Sequence, residues 1–228
     1  MKKTIAIIGL GRFGVGLVRA LANKNVDVIA IDKDKKNFAK VGEYIQNAMI
    51  CDSTKESALR AAGIDEVDHA IVAFGQDTET NLATTILTVI VLKNLGVKDV
   101  TCRIDDPYLE PLLLKIGANK CISPFDIASE SFALKVSSHS VMDYYNVTDG
   151  YNVFELEVLE GVEPISLIKL NSPAKFGVNV ILVKRNDETF QPNKDYIIQP
   201  GDHIFVFGLE KGVFALEAFL ESTIKKEN

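Results

Sequence analysis

A chain of 228 residues, 47% hydrophobic and 25% charged, is long enough for one standard domain plus a small one and has the apolar content for real cores. Its net charge of −6 excludes a general binder of nucleic acid or anionic membranes, since both need a basic face. The three cysteines, Cys51, Cys102 and Cys121, lie far apart beside apolar runs and without C-x-x-C spacing, so they read as buried thiols of a reducing cytoplasm rather than as disulfides or ligands.

Met1-Lys2-Lys3 leads straight into a strand, so no signal peptide is expected. The longest apolar helical stretch, around Ala83 to Leu95, is too short to span a bilayer. The first strand, from Ile5 to Ile8, ends in Gly9-Leu10-Gly11-Arg12-Phe13-Gly14, which opens into a helix from Val15 to Leu21. This is G-x-G-x-x-G between a strand and a helix, the context in which it reads as a nucleotide-binding turn. Gly9 permits the tight turn, Gly11 lets the backbone approach a phosphate, and Gly14 lets the helix pack against the strand. The helix N-terminus, with its unpaired N–H groups, faces the anion. The second strand, Val26 to Asp32, ends in an acid eighteen positions after Gly14, where a ribose-binding carboxylate is expected. The competing reading is a turn that keeps its glycines for packing alone.

A short helix is expected over Asp34 to Val41, a third strand over Asn47 to Cys51, and a helix over Glu56 to Ala62 stopped by Gly63. His69 to Gly75 reads as strand four, Asp77 to Leu95 as a long helix, Val100 to Ile104 as strand five, Pro107 to Ile116 as a helix, and Lys120 to Ile122 as strand six. Six strands alternating with helices imply an α/β, doubly wound parallel Rossmann-like sheet. Its ligand crevice lies outside the carboxyl ends of the strands, where Gly9, Asp32, Lys33, Asp52, Ser53, Ala73, Phe74, Gly75 and Arg103 fall.

From Pro124 the rhythm changes. Asp126 to Ser138 reads as an amphipathic helix with no strand of the same sheet to follow, so its residues Ile127, Phe132 and Leu134 are expected to pack across a homodimer. A joint is expected near Ser140 to Asp149. Then come a strand over Tyr151 to Val158, a short helix over Pro164 to Leu170, a strand over Val178 to Arg185, a turn over Asn186 to Phe190, a last strand over His203 to Gly208 and a last helix over Glu210 to Ser222. The expected domains are 1–142, with the crossover helix, and 143–228, a smaller α+β domain.

Arg12 does nothing for a tight turn but can pair with phosphate oxygens, the alternative being a solvated arginine. Asp52-Ser53-Thr54 caps the helix that follows, contacts ligand, or does both. His69, His139 and His203 stand apart from any cluster at metal spacing. A dehydrogenase needs an acid or base opposite its cofactor, and only about 85 residues follow the first domain. No P-loop motif and no helix-turn-helix with a basic stripe is present, which disfavours an ATPase and a redox-sensing repressor. The reading is a ligand-sensing regulator that is not an enzyme; the alternative is a small NAD-dependent oxidoreductase.

The motifs Gly9-Leu10-Gly11-Arg12-Phe13-Gly14, Ile31-Asp32-Lys33-Asp34, Cys51-Asp52-Ser53-Thr54, Ala118-Asn119 leading to Ser123-Pro124, Phe176-Gly177-Val178-Asn179 and Gln199-Pro200-Gly201-Asp202 run through nearly the whole chain. Together they resemble the regulatory subunits of bacterial Trk/Ktr-type potassium transporters, of the RCK class. The resemblance implies a cytoplasmic protein attached to the inner face of the membrane, whose dimers form a ring, an octamer, on a K⁺-translocating subunit. It implies ATP, ADP or NAD(H) in the first domain, with Gly9, Gly11, Arg12, Phe13 and Gly14 as the phosphate loop, Asp32 on the ribose, Asp52 beside the base and Arg103 near the phosphates. It also implies cyclic di-AMP in the second domain of some relatives. Relatives often carry an acid directly after the proline of Ser123-Pro124, implicated in divalent-cation binding. Phe125 stands there in this chain, so no metal is expected.

Overall fold

In the computed structural model, which describes residues 2–45, 47–75 and 79–224, the strand β1 (Lys3–Ile8) feeds two apolar cores at once. Ile5 and Ile7 point to one face of its sheet and Ala6 and Ile8 to the other, all at least nine-tenths buried. Such strands, covered on both sides, read as continuous apolar runs. In chain order follow α1 (Arg12–Ala22), β2 (Val26–Asp32), a 3₁₀ turn (Lys35–Lys40), β3 (Ala48–Ile50), α2 (Glu56–Ala61), β4 (His69–Val72), α3 (Glu79–Asn94), β5 (Asp99–Arg103), α4 (Glu110–Lys115), β6 (Lys120–Ile122) and α5 (Pro124–Ser137). The expected start of the long helix at Asp77 lies outside the described residues.

The six strands are parallel in the order β3-β2-β1-β4-β5-β6. Val15 and Val18 of α1 pack on one face, and Leu59, Val89, Leu92 and Leu113 of α2, α3 and α4 on the other. This is the expected doubly wound sheet. The order reverses between β1 and β4, so the ends of those strands flank a crevice.

The remaining elements are β7 (Val141–Thr148), β8 (Tyr151–Glu157), β9 (Ile165–Ser166), α6 (Leu167–Leu170), α7 (Ser172–Phe176), β10 (Asn179–Arg185), β11 (Glu188–Phe190), β12 (Ile197–Ile198), β13 (His203–Leu209) and α8 (Glu210–Ser222). An antiparallel sheet of order β11-β10-β13-β8-β7 carries α8 on its apolar face through Val213, Leu216 and Leu220. Where a moving joint was expected, Val141 to Thr148 is a paired strand. Asp149 and Gly150, at φ 45° and 81°, make the two-residue hairpin that joins it to β8. Asn186 and Asp187, at φ 50° and 66°, do the same before β11, a strand not expected from the sequence.

The two compact units divide at Ile127/Ala128 rather than at 142/143. Leu134 packs on the second core and Lys135 pairs with Asp143, so the later part of α5 belongs with the second sheet. Leu134 is therefore covered within its own chain, contrary to its expected place in a dimer contact, whereas Ile127 and Phe132 are exposed.

Glu217 of α8 fastens the start of β7. Its Oε1 accepts from Ser138 Oγ, from His139 N at 3.0 Å, and from Ser140 N and Oγ at 2.9 and 2.8 Å. Burial pushes this carboxyl up, but the four bonds outweigh it and hold the group below its ordinary value. A depressed carboxyl contributes stability that is present above its unfolded value and lost as pH falls through the folded one. The second unit should therefore loosen on acidification below about pH 4.3. Glu217→Ala strands several donors and should cost about 2–3 kcal/mol. Thermal melts from pH 7 to pH 3 check both points: the variant should melt lower at pH 7 and show a shallower acid dependence.

Candidate functional site

The turn after β1 is fixed from three sides. Gly9 sits at φ 101°, a region that favours glycine, and its N–H donates to Ile31 O at 2.8 Å, tying the turn to β2. A Cβ on Gly9 would lie 2.7 Å from the Phe74 ring, and one on Gly14 only 1.9 Å from Gly9 O. Gly14 thus lets α1 begin against the turn itself. Gly11 differs. Its φ of −70° suits any residue and a Cβ there would meet nothing within 4 Å, so nothing within the described fold asks for glycine at this position.

Asp32 ends β2 at 9% exposure. Its Oδ2 accepts from Leu10 N at 2.7 Å and its Oδ1 from Asp34 N at 2.8 Å. The first bond locks the carboxylate to the glycine turn. Each carboxylate oxygen has two acceptor directions, so both retain capacity for a hydroxyl. Asp32 and Lys33 line a cleft of about 480 Å³ with Asp52, Ser53, Phe74, Asn37, Asn81 and Thr84 over an apolar floor of Ile8 and Ile31. That is within the size range of small-molecule sites, about 300–1,000 Å³.

Of the expected residues, Asp32, Lys33, Asp52, Ser53 and Phe74 come together on this cleft. Asp52 Oδ1 accepts from Thr54 Oγ1 at 2.7 Å and Thr54 N at 3.0 Å, bonds that hold its carboxyl below the usual range. Ser53 Oγ shares a hydrogen bond with Thr88 Oγ1 at 2.8 Å, so Ser53 anchors its loop to α3. Ala73 is buried under the turn, 3.4 Å from where a Gly14 Cβ would stand, so only its backbone can reach a ligand. Gly75 follows Phe74 beyond the end of β4, and Arg12 is exposed at the start of α1. Phe13 belongs partly to the core beneath α1.

Arg103 is more engaged than its sequence context suggests. Its Nε and one terminal nitrogen donate to Asp105 Oδ1 at 2.9 and 2.7 Å, and its guanidinium lies 5.9 Å from the Phe13 ring centroid and 5.3 Å from that of Phe125. Sequence reasoning missed Asn37, Asn81 and Thr84. The last two are polar residues three apart on α3, a spacing that places them on one face of an otherwise apolar helix.

Burial pushes the Cys102 thiol up to about 12 and Cys121 to about 11; Cys51, beside Asp52, is also raised by burial. Burial lowers His69, which contacts Thr101 and Asp99; His139 faces Glu221 and His203 faces Glu155. Among the described residues no group of three or more His, Cys, Asp or Glu is placed to hold a metal ion, and no helix is long and apolar enough to cross a membrane.

A glycine turn, a buried acid at the end of β2 and a cleft at the sheet's switch point define a Rossmann-type domain joined to a small α+β domain. The TrkA-N domain family matches residues 5–124 and the TrkA-C domain family residues 163–221. The chain belongs to the TrkA family. It is 34% identical over 209 residues, 91% of this chain and 93% of the relative, to Ktr system potassium uptake protein C of Bacillus subtilis (strain 168). It is 29% identical over 216 residues, 94% of this chain and 96% of the relative, to Ktr system potassium uptake protein A of the same organism. Both relatives are named as potassium uptake proteins. Among solved structures the GsuK channel bound to NAD matches 100% of this chain at TM-score 0.63 and 14% identity, a likeness of fold. This chain spans 40% of that one.

Proposed function

We propose that the protein is a cytoplasmic regulatory subunit that binds an adenine nucleotide, ATP/ADP or NAD(H), and gates K⁺ movement through a membrane-embedded partner. The observation that carries the site is the Asp32 carboxylate, locked to the glycine turn and lining the cleft with acceptor capacity to spare. In this reading the ribose hydroxyls donate to Asp32, while Lys33, Asp52, Ser53 and Phe74 border the adenosine. Gly9, Gly11 and Gly14 shape the phosphate loop, and Arg12 pairs with the phosphates as a charge-assisted donor. Phe13, Ala73 and Gly75 support the loop from behind, and Arg103, paired here with Asp105, is a second cation for the phosphates. The similarity to the Ktr uptake proteins supplies the link to K⁺. A ring of dimers, an octamer, would present repeated copies of the switch to the pore, and cyclic di-AMP is a candidate ligand for the second domain.

A ligand shifts a conformational equilibrium only by its difference in affinity for the two states, and about 1–3 kcal/mol is typical for allosteric coupling. ATP and ADP differ in charge at the phosphate loop, and NADH and NAD⁺ in ring chemistry. Either pair provides such a difference. The test is calorimetric titration with each nucleotide and cyclic di-AMP, followed by K⁺ flux in liposomes holding the protein and its membrane partner. Micromolar binding and nucleotide-dependent flux without consumption of nucleotide are expected. Flux indifferent to every bound nucleotide, or steady substrate oxidation with NAD⁺, would sink the reading.

A further inference from the structure

Phe125 is a large apolar residue in the first turn of α5, with 58% of its surface exposed. A single exposed apolar side chain is ordinary, but Phe125 has a specific partner: its ring faces the Arg103 guanidinium at 5.3 Å. Phe13, the second residue of α1 and part of the glycine motif, flanks the same guanidinium at 5.9 Å. Asp105 holds the guanidinium through two nitrogens, and the Arg103 side chain is 12% exposed. One cation thus joins the glycine loop, the end of β5 and the start of α5. Cation–π contact is lost when the cation turns away, because the attraction requires it over the ring face.

We infer that Phe125 is a positioning residue that couples occupancy of the phosphate loop to the first turn of α5 through Arg103. The inference rests on the nucleotide reading of the cleft. An anion arriving at the loop attracts the guanidinium, since a phosphate is a stronger partner for arginine than an aromatic face. Arg103 then turns toward the phosphate and leaves the Phe125 ring, and the first turn of α5 loses its tether. By linkage, a contact broken on binding weakens binding by the worth of that contact. Its removal should therefore strengthen binding. With the Phe125 ring more than half exposed, the low end of the cation–π range applies, a gain of about two- to fivefold.

The experiment uses the full chain, with ADP, ATP and NAD⁺ as probes, and compares the wild type with Phe125→Leu and Phe125→Trp. Calorimetry gives affinity, and hydrogen exchange follows residues 124–130 with and without nucleotide. In the wild type, exchange there should speed up on binding. Phe125→Leu, apolar but without a π face, should exchange fast already, respond little, and bind two- to fivefold more tightly. Phe125→Trp should restore the wild-type response, a rescue that a role in packing alone would not produce. Equal affinities and equal exchange responses in all three proteins would overturn the coupling while leaving the site intact. A wild type that binds none of the three probes would overturn both.

Discussion

Gly14→Ala is expected to break the first unit, whereas Gly11→Ala, three positions earlier, leaves it standing. A methyl at Gly14 would sit 1.9 Å from Gly9 O, a backbone atom that cannot swing aside as a side-chain tip would. Either α1 backs away from the turn or the turn opens, and both disturb the Leu10 N bond to Asp32. Overpacking of this kind costs about 3 kcal/mol at the upper end of its usual range. Nucleotide affinity should fall with it by roughly a hundredfold, the equivalent of about 2.7 kcal/mol. The Gly11 methyl meets nothing within 4 Å, so that variant should melt like the wild type. If the loop holds a diphosphate at close range, Gly11→Ala should still lose binding. Melting curves and calorimetry on the two variants separate glycine for packing from glycine for ligand, and full binding by Gly11→Ala would return the motif to packing alone.

Asp32→Ala should produce the second large effect. Its carboxylate accepts two backbone N–H groups, one from the buried Leu10, and in the proposed site it also accepts the ribose hydroxyls. Hydrogen bonds to a charged group contribute about 1.5–3 kcal/mol, so affinity for ADP or NAD⁺ should fall roughly ten- to more than hundredfold. Stability should fall as well, by about 1–3 kcal/mol for the stranded donors. Asp32→Asn separates the two losses. It keeps one acceptor oxygen for the backbone and removes the charge that repels a 2′-phosphate. NADP⁺, bound poorly by the wild type, should therefore bind the Asn variant better relative to NAD⁺. Unchanged ADP affinity in Asp32→Ala, measured on protein shown to be folded, would remove Asp32 from the ribose.

The parts of the site that sequence makes legible are those encoded within a few neighbouring residues. The glycine turn and the acid ending β2 are local motifs with a fixed spacing, and both meet where that spacing implies. Arg103 was harder. Asp105 stands two positions on, but the rings of Phe13 and Phe125 arrive from opposite ends of the first unit and no local pattern announces them. Asn81 and Thr84 were hidden because α3 reads as an apolar helix whose job is packing. In the second unit β7 escapes a sequence reading because five of its eight residues are exposed at the edge of the sheet, which erases the alternation a strand usually shows. The signal was present in Asp149-Gly150, a pair suited to the tight hairpin that the structure contains.

The three cysteines, Cys51 and Cys102 buried and Cys121 partly so, have a practical corollary. Maleimides and disulfide reagents attack thiolates, and burial pushes the Cys102 thiol up, so little of it is ionised at neutral pH. The Cys121 and Cys51 thiols are raised as well, both chiefly by burial. The natural chain is therefore its own quiet background for site-directed tagging. A single cysteine installed on the exposed side of α5, at Phe132 for example, would outreact all three native thiols, so a fluorophore or spin label could follow that helix without any native cysteine being replaced.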